Sequence, residues 1–319
     1  GTLFRHAYCA GPTCSPSRAA LLTGMVPHSC GMTGLAHRGF RINDYGRHLV
    51  QFLNSHGYET VLCGVQHEAK RGFEEEWIGY RKVLREPDSH GSPVKNDLEN
   101  AGRAADYLRR RGRGKGPFFL SFGMKNTHRD FLEPDCETNP DYLVPPFPLY
   151  DNSVNRRDFA GFVASARVMD RCAGIVLNAL RESGLEEETV VIFTTDHGIA
   201  FPRMKCSLYD TGIGVSLIIK YPGNALKGKA VDALVSHVDL FPTICELLGV
   251  EKPDRLQGVS ILPLLEERAD RIRSEVFAEV NYHAAYEPMR CIRTERYKYI
   301  RFYDGHDSYV PANIDGSMS

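Results

Sequence analysis

The segment CSPSRAALLTG, residues 14–24, places a cysteine at the predicted start of a helix. Pro16 suits the first helical turn, and Gly24 can end the helix. Unpaired backbone N–H groups at a helix N-terminus attract anions, so Cys14 would lie where an anionic group can bind. Arg18, one turn further on, could add a planar fork of donors for an oxyanion. The segment indicates a reactive cysteine beside an anion site, or alternatively a buried cysteine next to a helix cap.

Three further groups of polar residues follow predicted strands. They are His67 after TVLCGV, Lys125 and His128 after PFFLSFG, and Asp196 and His197 after TVVIFTT. In open α/β sheets, ligands bind at the carboxyl ends of the strands. A single polar residue at a strand end is often only a turn or cap residue. Three such groups together with the cysteine segment indicate one catalytic site.

The elements that must position these residues alternate along the chain. The candidate strands are residues 60–65, 117–123, 189–195, 215–220 and 275–280, and the candidate helices are residues 45–55, 97–111, 157–183 and 238–248. The continuous apolar run VVIFTT, residues 190–195, predicts a strand buried on both faces, as in a parallel sheet. The alternation predicts an α/β fold with a mostly parallel sheet between helices.

Two regions depart from this alternation. Residues 126–156 are irregular and rich in Pro, Asp and Asn, which is typical of a binding loop or lid. After about residue 273 the sequence becomes β-rich and predicts a small antiparallel sheet. We therefore predict a catalytic α/β domain at 1–272 and the start of a C-terminal subdomain at 273–319, the first lacking its N-terminal strand and the second truncated. His283, in this second region, is expected to be an ordinary surface or loop histidine.

Composition excludes several classes of protein. Lys and Arg number 39 against 40 Asp and Glu, so no overall charge indicates nucleic acid or an anionic membrane as a partner. No apolar run is long enough to cross a bilayer. The nine cysteines form no C-x-x-C pair, which argues against a zinc knuckle or a dense disulfide framework. Cys172 and Cys245 lie in apolar helical patterns and are expected in the core.

Compartment and oligomeric state do not follow from these patterns. The abrupt beginning GTLFRHAYC reads like the middle of a domain. It favours a periplasmic or secreted location over a cytoplasmic one, because an upstream segment would be missing. A homodimer is compatible with the sequence.

The cysteine segment resembles the signature of the sulfatases, in which the cysteine is oxidised after translation to formylglycine. FTTDHGIAF (193–201) is similar to the family's second metal-binding segment, VSHVDLFPTICELLGV (235–250) to the helix that commonly follows, and RCIRTERYKYI (290–300) to the opening of its C-terminal subdomain. The similarity covers nearly the whole chain and implies an alkaline phosphatase-like fold. Within the family, the Phe-Pro dipeptide at 201–202 and the late YEPMR resemble the heparan N-sulfatase (sulfamidase) branch, which implies N-sulfoglucosamine as substrate.

The resemblance also implies a mechanism. One hydroxyl of the hydrated formylglycine 14 attacks sulfur and expels the amine or alcohol, and the second is deprotonated so that sulfate leaves and the aldehyde reforms. A divalent cation, Ca²⁺ in most members with Mg²⁺ as the alternative, activates the nucleophilic oxygen. The implied partners are a sulfated saccharide and a formylglycine-generating enzyme.

Individual roles follow by matching positions. Residue 14, Asp196 and His197 match metal-site positions, although sulfamidase has asparagine where His197 stands and other sulfatases have histidine. Arg18 is implied to hold the formylglycine hydrate. His67 is implied to assist the second step.

His128 and Lys205 are implied to act on the substrate side. His128 would protonate the leaving group. Lys205 would face the sulfate where sulfamidase uses arginine. The family usually carries a lysine two positions before His67, where this chain has Val65, and Lys125 is a candidate substitute.

A second departure concerns the metal site. The family takes two adjacent aspartate ligands from an N-terminal strand, and none precedes Gly1. We interpret the sequence as truncated and expect little or no activity if the chain truly begins there. The alternatives are an O-sulfatase on sugar or aryl sulfates, a phosphonate monoester hydrolase, and a catalytically inert carbohydrate-binding relative or fragment.

Overall fold

A computed structural model describes residues 1–84 and 93–305 of the chain. The strands are β1 Thr2–Phe4, β2 Ala7–Tyr8, β3 Glu59–Gly64, β4 Lys82–Leu84, β5 Phe118–Gly123, β6 Val191–Thr194, β7 Leu217–Lys220, β8 Ala230–Val231, β9 Val235–Ser236, β10 Glu275–Tyr282, β11 Tyr286–Thr294 and β12 Lys298–Phe302. The α-helices are α1 Cys14–Thr23, α2 Pro27–Cys30, α3 Leu49–Ser55, α4 Pro93–Arg111, α5 Ser153–Glu182, α6 Asp210–Ile213, α7 Leu240–Leu248 and α8 Leu262–Leu265.

Most strand pairs of the α/β part are parallel. β3 pairs in parallel with both β4 and β5, and β1 with β8 and β2 with β9 are also parallel. The sheet in the order β6-β7-β1-β8 contains two antiparallel pairs, β6 with β7 and β7 with β1. These pairings confirm the predicted α/β class.

The prediction from the apolar run VVIFTT was wrong in two respects. β6 runs antiparallel to β7, and all four of its residues are only half-buried. Among the described strands β6 pairs with β7 alone. A continuous apolar run therefore did not predict the direction of the pairing with β7.

Polar side chains cap two of the helices, α3 and α5, and decide where they begin. The predicted helix 45–55 is a 3₁₀ turn at Tyr45–Arg47 followed by α3. His48 separates the two because its backbone is extended and its Nδ1 accepts a hydrogen bond from the Val50 N–H at 3.2 Å. α5 begins earlier than predicted, because the side chain of Asn152 caps it.

The core lies between the sheets and the long helices. Val61 of β3, Leu108 of α4 and Leu180 of α5 belong to one buried cluster. Cys172 and Cys245 are 0% and 1% exposed, which confirms their prediction as core residues. No helix within residues 1–84 and 93–305 is both long and apolar enough to cross a membrane.

The C-terminal sheet is antiparallel, as predicted. β10, β11 and β12 pair in sequence order, with Phe277, Ile292 and Tyr299 in one row. One face of this sheet packs against Leu208 and Ile213 of the α/β part. The domain boundary at 272 stays a prediction, and residues 306–319 of the predicted subdomain lie outside the described ranges.

Candidate active site

Cys14 is the first residue of α1, as the sequence predicted. Thr13 precedes it with an extended backbone, and the Thr13 side chain makes no capping hydrogen bond, so the N–H groups of the first turn lack that partner. Gly24 ends the helix at φ +66°, where an added Cβ would also meet Leu256 at 2.7 Å. The Cys14 side chain therefore lies at the positive end of the helix and is 7% exposed.

Asp196 and His197 follow β6 and lie against α1. Arg18 Nε donates to Asp196 Oδ2 at 3.1 Å. The Ser17 hydroxyl donates to the Asp196 carbonyl oxygen. The first turn of α1 and the end of β6 are thus joined by a side-chain ion pair and a hydrogen bond to the backbone.

Cys14, Asp196 and His197 form one cluster. Cys14 Sγ lies 3.4 Å from His197 Nε2, and that nitrogen lies 3.7 Å from Asp196 Oδ1. His197 Nδ1 donates to the Gly198 carbonyl at 2.7 Å, which directs Nε2 at the cluster. Burial lowers the pKa of His197, but the Asp196 carboxylate and Cys14 outweigh burial and raise it overall.

These three residues could hold part of a metal site. One potential ligand atom from each lies within 4.8 Å of the others. Ca²⁺, however, takes six to eight oxygen ligands, and the cluster offers one carboxylate, one imidazole and the side chain of residue 14. Arg18 already engages one Asp196 oxygen. The cluster alone does not make a calcium site, and the ion it would take is not fixed by these donors.

His128 and Lys205 meet at the same place from two different loops. Lys205 Nζ lies 3.5 Å from His128 Nε2, and Lys205 is 2% exposed. Burial alone would raise the pKa of the Cys14 thiol. The charges of Lys205 and His197 and hydrogen bonds from His128 and His197 reverse this and hold that pKa well below its usual range. The surroundings of Cys14 therefore stabilise negative charge.

The loop that carries Lys205 has an unusual backbone. Arg203 and Cys206, on either side, have φ of 61° and 64°, a region that non-glycine residues rarely adopt. The Lys205 N–H donates to the Ile199 carbonyl at 3.0 Å, and the Cys206 N–H donates to the Pro12 carbonyl at 2.9 Å. These bonds attach the loop to the segment just before Cys14.

The turn that carries His128 is anchored from α4. The Asp97 carboxylate, 1% exposed, accepts the N–H of Lys125 at 2.9 Å and the N–H of Asn126 at 2.8 Å. The Lys125 side chain is exposed, and its ammonium makes no hydrogen bond or ion pair with the described residues. The contact of Lys125 with sulfate therefore stays a prediction, and Val65 is half-buried beside the same turn, where its N–H donates to the Gly123 carbonyl.

His67 pairs with a histidine that the sequence reasoning missed. His67 Nε2 lies 3.0 Å from His37 Nδ1, and the two rings stack with centroids 5.2 Å apart. Burial, His67 and Arg38 lower the pKa of His37, while Cys14 acts in the opposite direction. His37 is therefore within electrostatic reach of Cys14. No strand-end pattern marked it, because it lies in a 3₁₀ turn after α2.

His283 is a loop residue, which was one of the two expectations, but it is not a surface residue. It lies between β10 and β11 and is only 2% exposed. Burial lowers its pKa to about 4, with Lys205 adding to the effect and Cys14 opposing it. His283 is therefore a buried residue within electrostatic reach of the cluster. The neighbouring Ala284 carbonyl accepts a hydrogen bond from Arg38 Nη1 at 3.3 Å, which connects this loop to the turn that carries His37.

A known family accounts for this arrangement. The family model described as Sulfatase matches residues 1–250, and one described as N-sulphoglucosamine sulphohydrolase, C-terminal, matches residues 197–313. The chain belongs to the sulfatase family. The chain is 29% identical over 339 residues to human N-sulphoglucosamine sulphohydrolase, covering 93% of this chain and 66% of the human protein. It is also 27% identical over 355 residues to an ulvan-active sulfatase of Formosa agariphila, covering 97% of this chain and 56% of that one.

Solved structures share the fold of this chain. One, determined in complex with its substrate D-glucosamine-2-N,6-O-disulfate, superposes with a TM-score of 0.76 at 18% identity, covering 97% of this chain and 83% of that one. The likeness confirms the predicted alkaline phosphatase-like fold. The chain spans 66% or less of the two relatives' lengths.

Proposed function

We propose that this chain is part of a sulfatase that hydrolyses N-sulfoglucosamine through a nucleophile made from Cys14. The observation that carries the proposal is the position of Cys14 at a helix N-terminus, 3.4 Å from His197, with a pKa held low by Lys205 and His197. A site that stabilises negative charge at residue 14 suits a sulfuryl group and its attacking oxygen. Conversion of Cys14 to formylglycine by a formylglycine-generating enzyme is part of the proposal.

His128 and Lys205 would act on the substrate side. His128 Nδ1 bonds to the Arg129 carbonyl, which leaves Nε2 facing Lys205 and the cluster. Because Nδ1 already carries the proton that bonds the carbonyl, His128 would act in its doubly protonated form, and the second proton, on Nε2, would pass to the leaving nitrogen as the bond to sulfur breaks. Lys205, buried and cationic, would neutralise a sulfuryl oxygen, although as a point charge rather than a bidentate fork.

Arg18 and the metal-site residues would act on the nucleophile side. Arg18, ion-paired with Asp196, lies one turn from residue 14 and would orient its oxygens. Asp196 and His197 would supply part of the site for a divalent cation, whose charge would favour the attacking oxygen anion. Ca²⁺ would need further oxygen ligands beyond this cluster. His67 would take the proton of the second hydroxyl, with His37 stacked behind it.

The choice of N-sulfate rests on the human relative and on the C-terminal family match. An O-sulfatase acting on a sulfated sugar is the second candidate, because the ulvan-active sulfatase is nearly as similar in sequence. The leaving groups differ in basicity. An unprotonated nitrogen leaving group is a stronger base than a sugar alkoxide, so N-sulfate hydrolysis depends more on a proton donor such as His128. That the protein is periplasmic or secreted, and that it forms a homodimer, both stay predictions.

Turnover by the full-length protein tests the proposal. Sulfate release would be measured from N-sulfoglucosamine, glucosamine 6-O-sulfate and an aryl sulfate, and alcohol release in parallel from a phosphonate monoester, each with and without chelator. We expect the largest kcat/KM on N-sulfoglucosamine. A larger value on an O-sulfate would favour the second candidate, faster phosphonate hydrolysis would reject sulfatase activity, and sugar binding without turnover would indicate an inert relative.

Mass spectrometry tests the nucleophile separately. The tryptic peptide that contains residue 14 should carry an aldehyde when the protein comes from a host with a formylglycine-generating enzyme. Cys14→Ala is the control, because it has the same surroundings and no thiol to oxidise. An unmodified thiol from such a host would contradict the proposed nucleophile.

A further inference from the structure

The side chain of Arg129 is largely buried, and each of its three guanidinium nitrogens donates a hydrogen bond. Nη1 and Nη2 donate to the two oxygens of Asp158 at 3.0 and 2.6 Å, and Nε donates to the Ala200 carbonyl at 2.8 Å. The side chains of Arg129 and Asp158 are 12% and 3% exposed. The guanidinium carbon also lies 4.3 Å from the ring centre of Phe131 and 4.9 Å from that of Phe201. Such a bidentate, stacked arrangement is specific to arginine.

These contacts join the two loops that carry His128 and Lys205. His128 immediately precedes Arg129 and bonds to its carbonyl. Ala200 and Phe201 belong to the loop in which the Lys205 N–H donates to Ile199. The third partner, Asp158, lies on the long helix α5. One side chain therefore ties both loops to a rigid element.

A gain in folding stability does not by itself explain the buried ion pair of Arg129 with Asp158. Burying two charges costs desolvation that often equals their attraction, and apolar replacements are frequently as stable. Fixed geometry is the better-supported gain, because a reacting group misplaced by about 1 Å can cost about a hundredfold in rate. The contact of Lys205 Nζ with His128 Nε2 at 3.5 Å is the geometry that would be lost.

We propose that Arg129 is a positioning residue that holds His128 and Lys205 in register through Asp158 and Ala200. The inference rests on the proposed function of this site. Nε, Nη1 and Nη2 of Arg129 each donate to Asp158 or Ala200, so we assign Arg129 a positioning role and not a contact with the substrate. It acts through the two residues that it positions.

Arg129→Lys in the full-length protein tests the proposal. Lysine keeps the charge but cannot bond both carboxylate oxygens and the Ala200 carbonyl from one plane. We expect kcat to fall about 10- to 100-fold and inorganic sulfate, measured by calorimetry, to bind more weakly. The matched control is Arg111→Lys. Arg111 is another buried arginine, and its guanidinium group bonds to Glu59 and to three backbone carbonyls. The control should shift thermal unfolding but leave kcat and sulfate binding unchanged.

A double-variant background separates positioning from a general structural effect. With His128→Ala and Lys205→Ala already present, Arg129→Lys should change the residual rate by less than about threefold. An equal fold-loss in both backgrounds would overturn the proposal, as would unchanged kcat and sulfate affinity. Asp158→Asn gives the same readouts if Arg129→Lys does not fold. If the wild-type protein turns over no sulfate, the proposed function fails, while the sulfate-binding measurement still decides whether Arg129 positions these residues.

Discussion

Replacing His48 by asparagine should remove part of the pH dependence of this protein's stability. His48 is fully buried and caps α3, with Nδ1 accepting the Val50 N–H at 3.2 Å. Burial lowers its pKa to about 3, against about 6.5 in the unfolded chain. Protonation therefore favours unfolding: the contribution is fully present above about pH 6.5 and is lost as the pH falls towards 3. Asparagine can still cap the helix but does not titrate.

The magnitude follows from the pKa difference. At pH 5, about 1.5 units below the unfolded pKa, the loss is about 2 kcal/mol at 1.36 kcal/mol per unit. Urea unfolding at about pH 8 and pH 5 would measure it in the wild type, in His48→Asn and in the control His56→Asn, an exposed histidine just after the same helix. The free energy of unfolding of the wild type minus that of His48→Asn should be about 2 kcal/mol lower at pH 5 than at pH 8, because only the wild type loses the His48 contribution. A gap that stays constant refutes the reasoning.

Three further predictions concern the site. Gly198→Ala would place a Cβ 1.8 Å from the Thr211 carbonyl oxygen, so unfolding should become easier by about 1–3 kcal/mol. Gly174→Ala, with open space around it, is the control and should be neutral or stabilising in the same thermal melts. Asp97→Asn puts a donor opposite the N–H groups of Lys125 and Asn126, and should cost about 1–3 kcal/mol and lower kcat. The exposed Asp106→Asn on the same helix should do neither, and equal effects of the two would reject the anchoring role. His283→Gln should lower kcat/KM about tenfold, equivalent to about 1.4 kcal/mol, in the sulfate-release assay. An unchanged value would show that this buried histidine does not serve the reaction.

Local sequence predicted the parts of the site that depend on one element. Pro16 and Gly24 indicated a helix that begins at Cys14, and the structure has that helix. His128 and Asp196 follow strands that were recognised from their apolar composition. Such predictions succeed because turn, cap and strand preferences act over a few neighbouring residues. The cluster of Cys14, Asp196 and His197 was inferred from the same strand-end rule and from family resemblance, and the structure brings these residues together.

Contacts between distant segments had no such signal. The pairing of His67 with His37, the inward position of His283 and the bridge from Arg129 to Asp158 and Ala200 join residues far apart in the chain. A histidine in a loop has the same sequence pattern whether it points to water or to a nucleophile.

The sequence by itself determined the fold class, the helix that presents Cys14 and the types of residue available at the strand ends. The tertiary structure alone decided which of them meet. It brought Lys205 to His128, left Lys125 exposed, and paired β6 antiparallel with β7. The physical reason is that capping and strand preferences are local free energies, whereas burial and charge at the site depend on how separate elements pack.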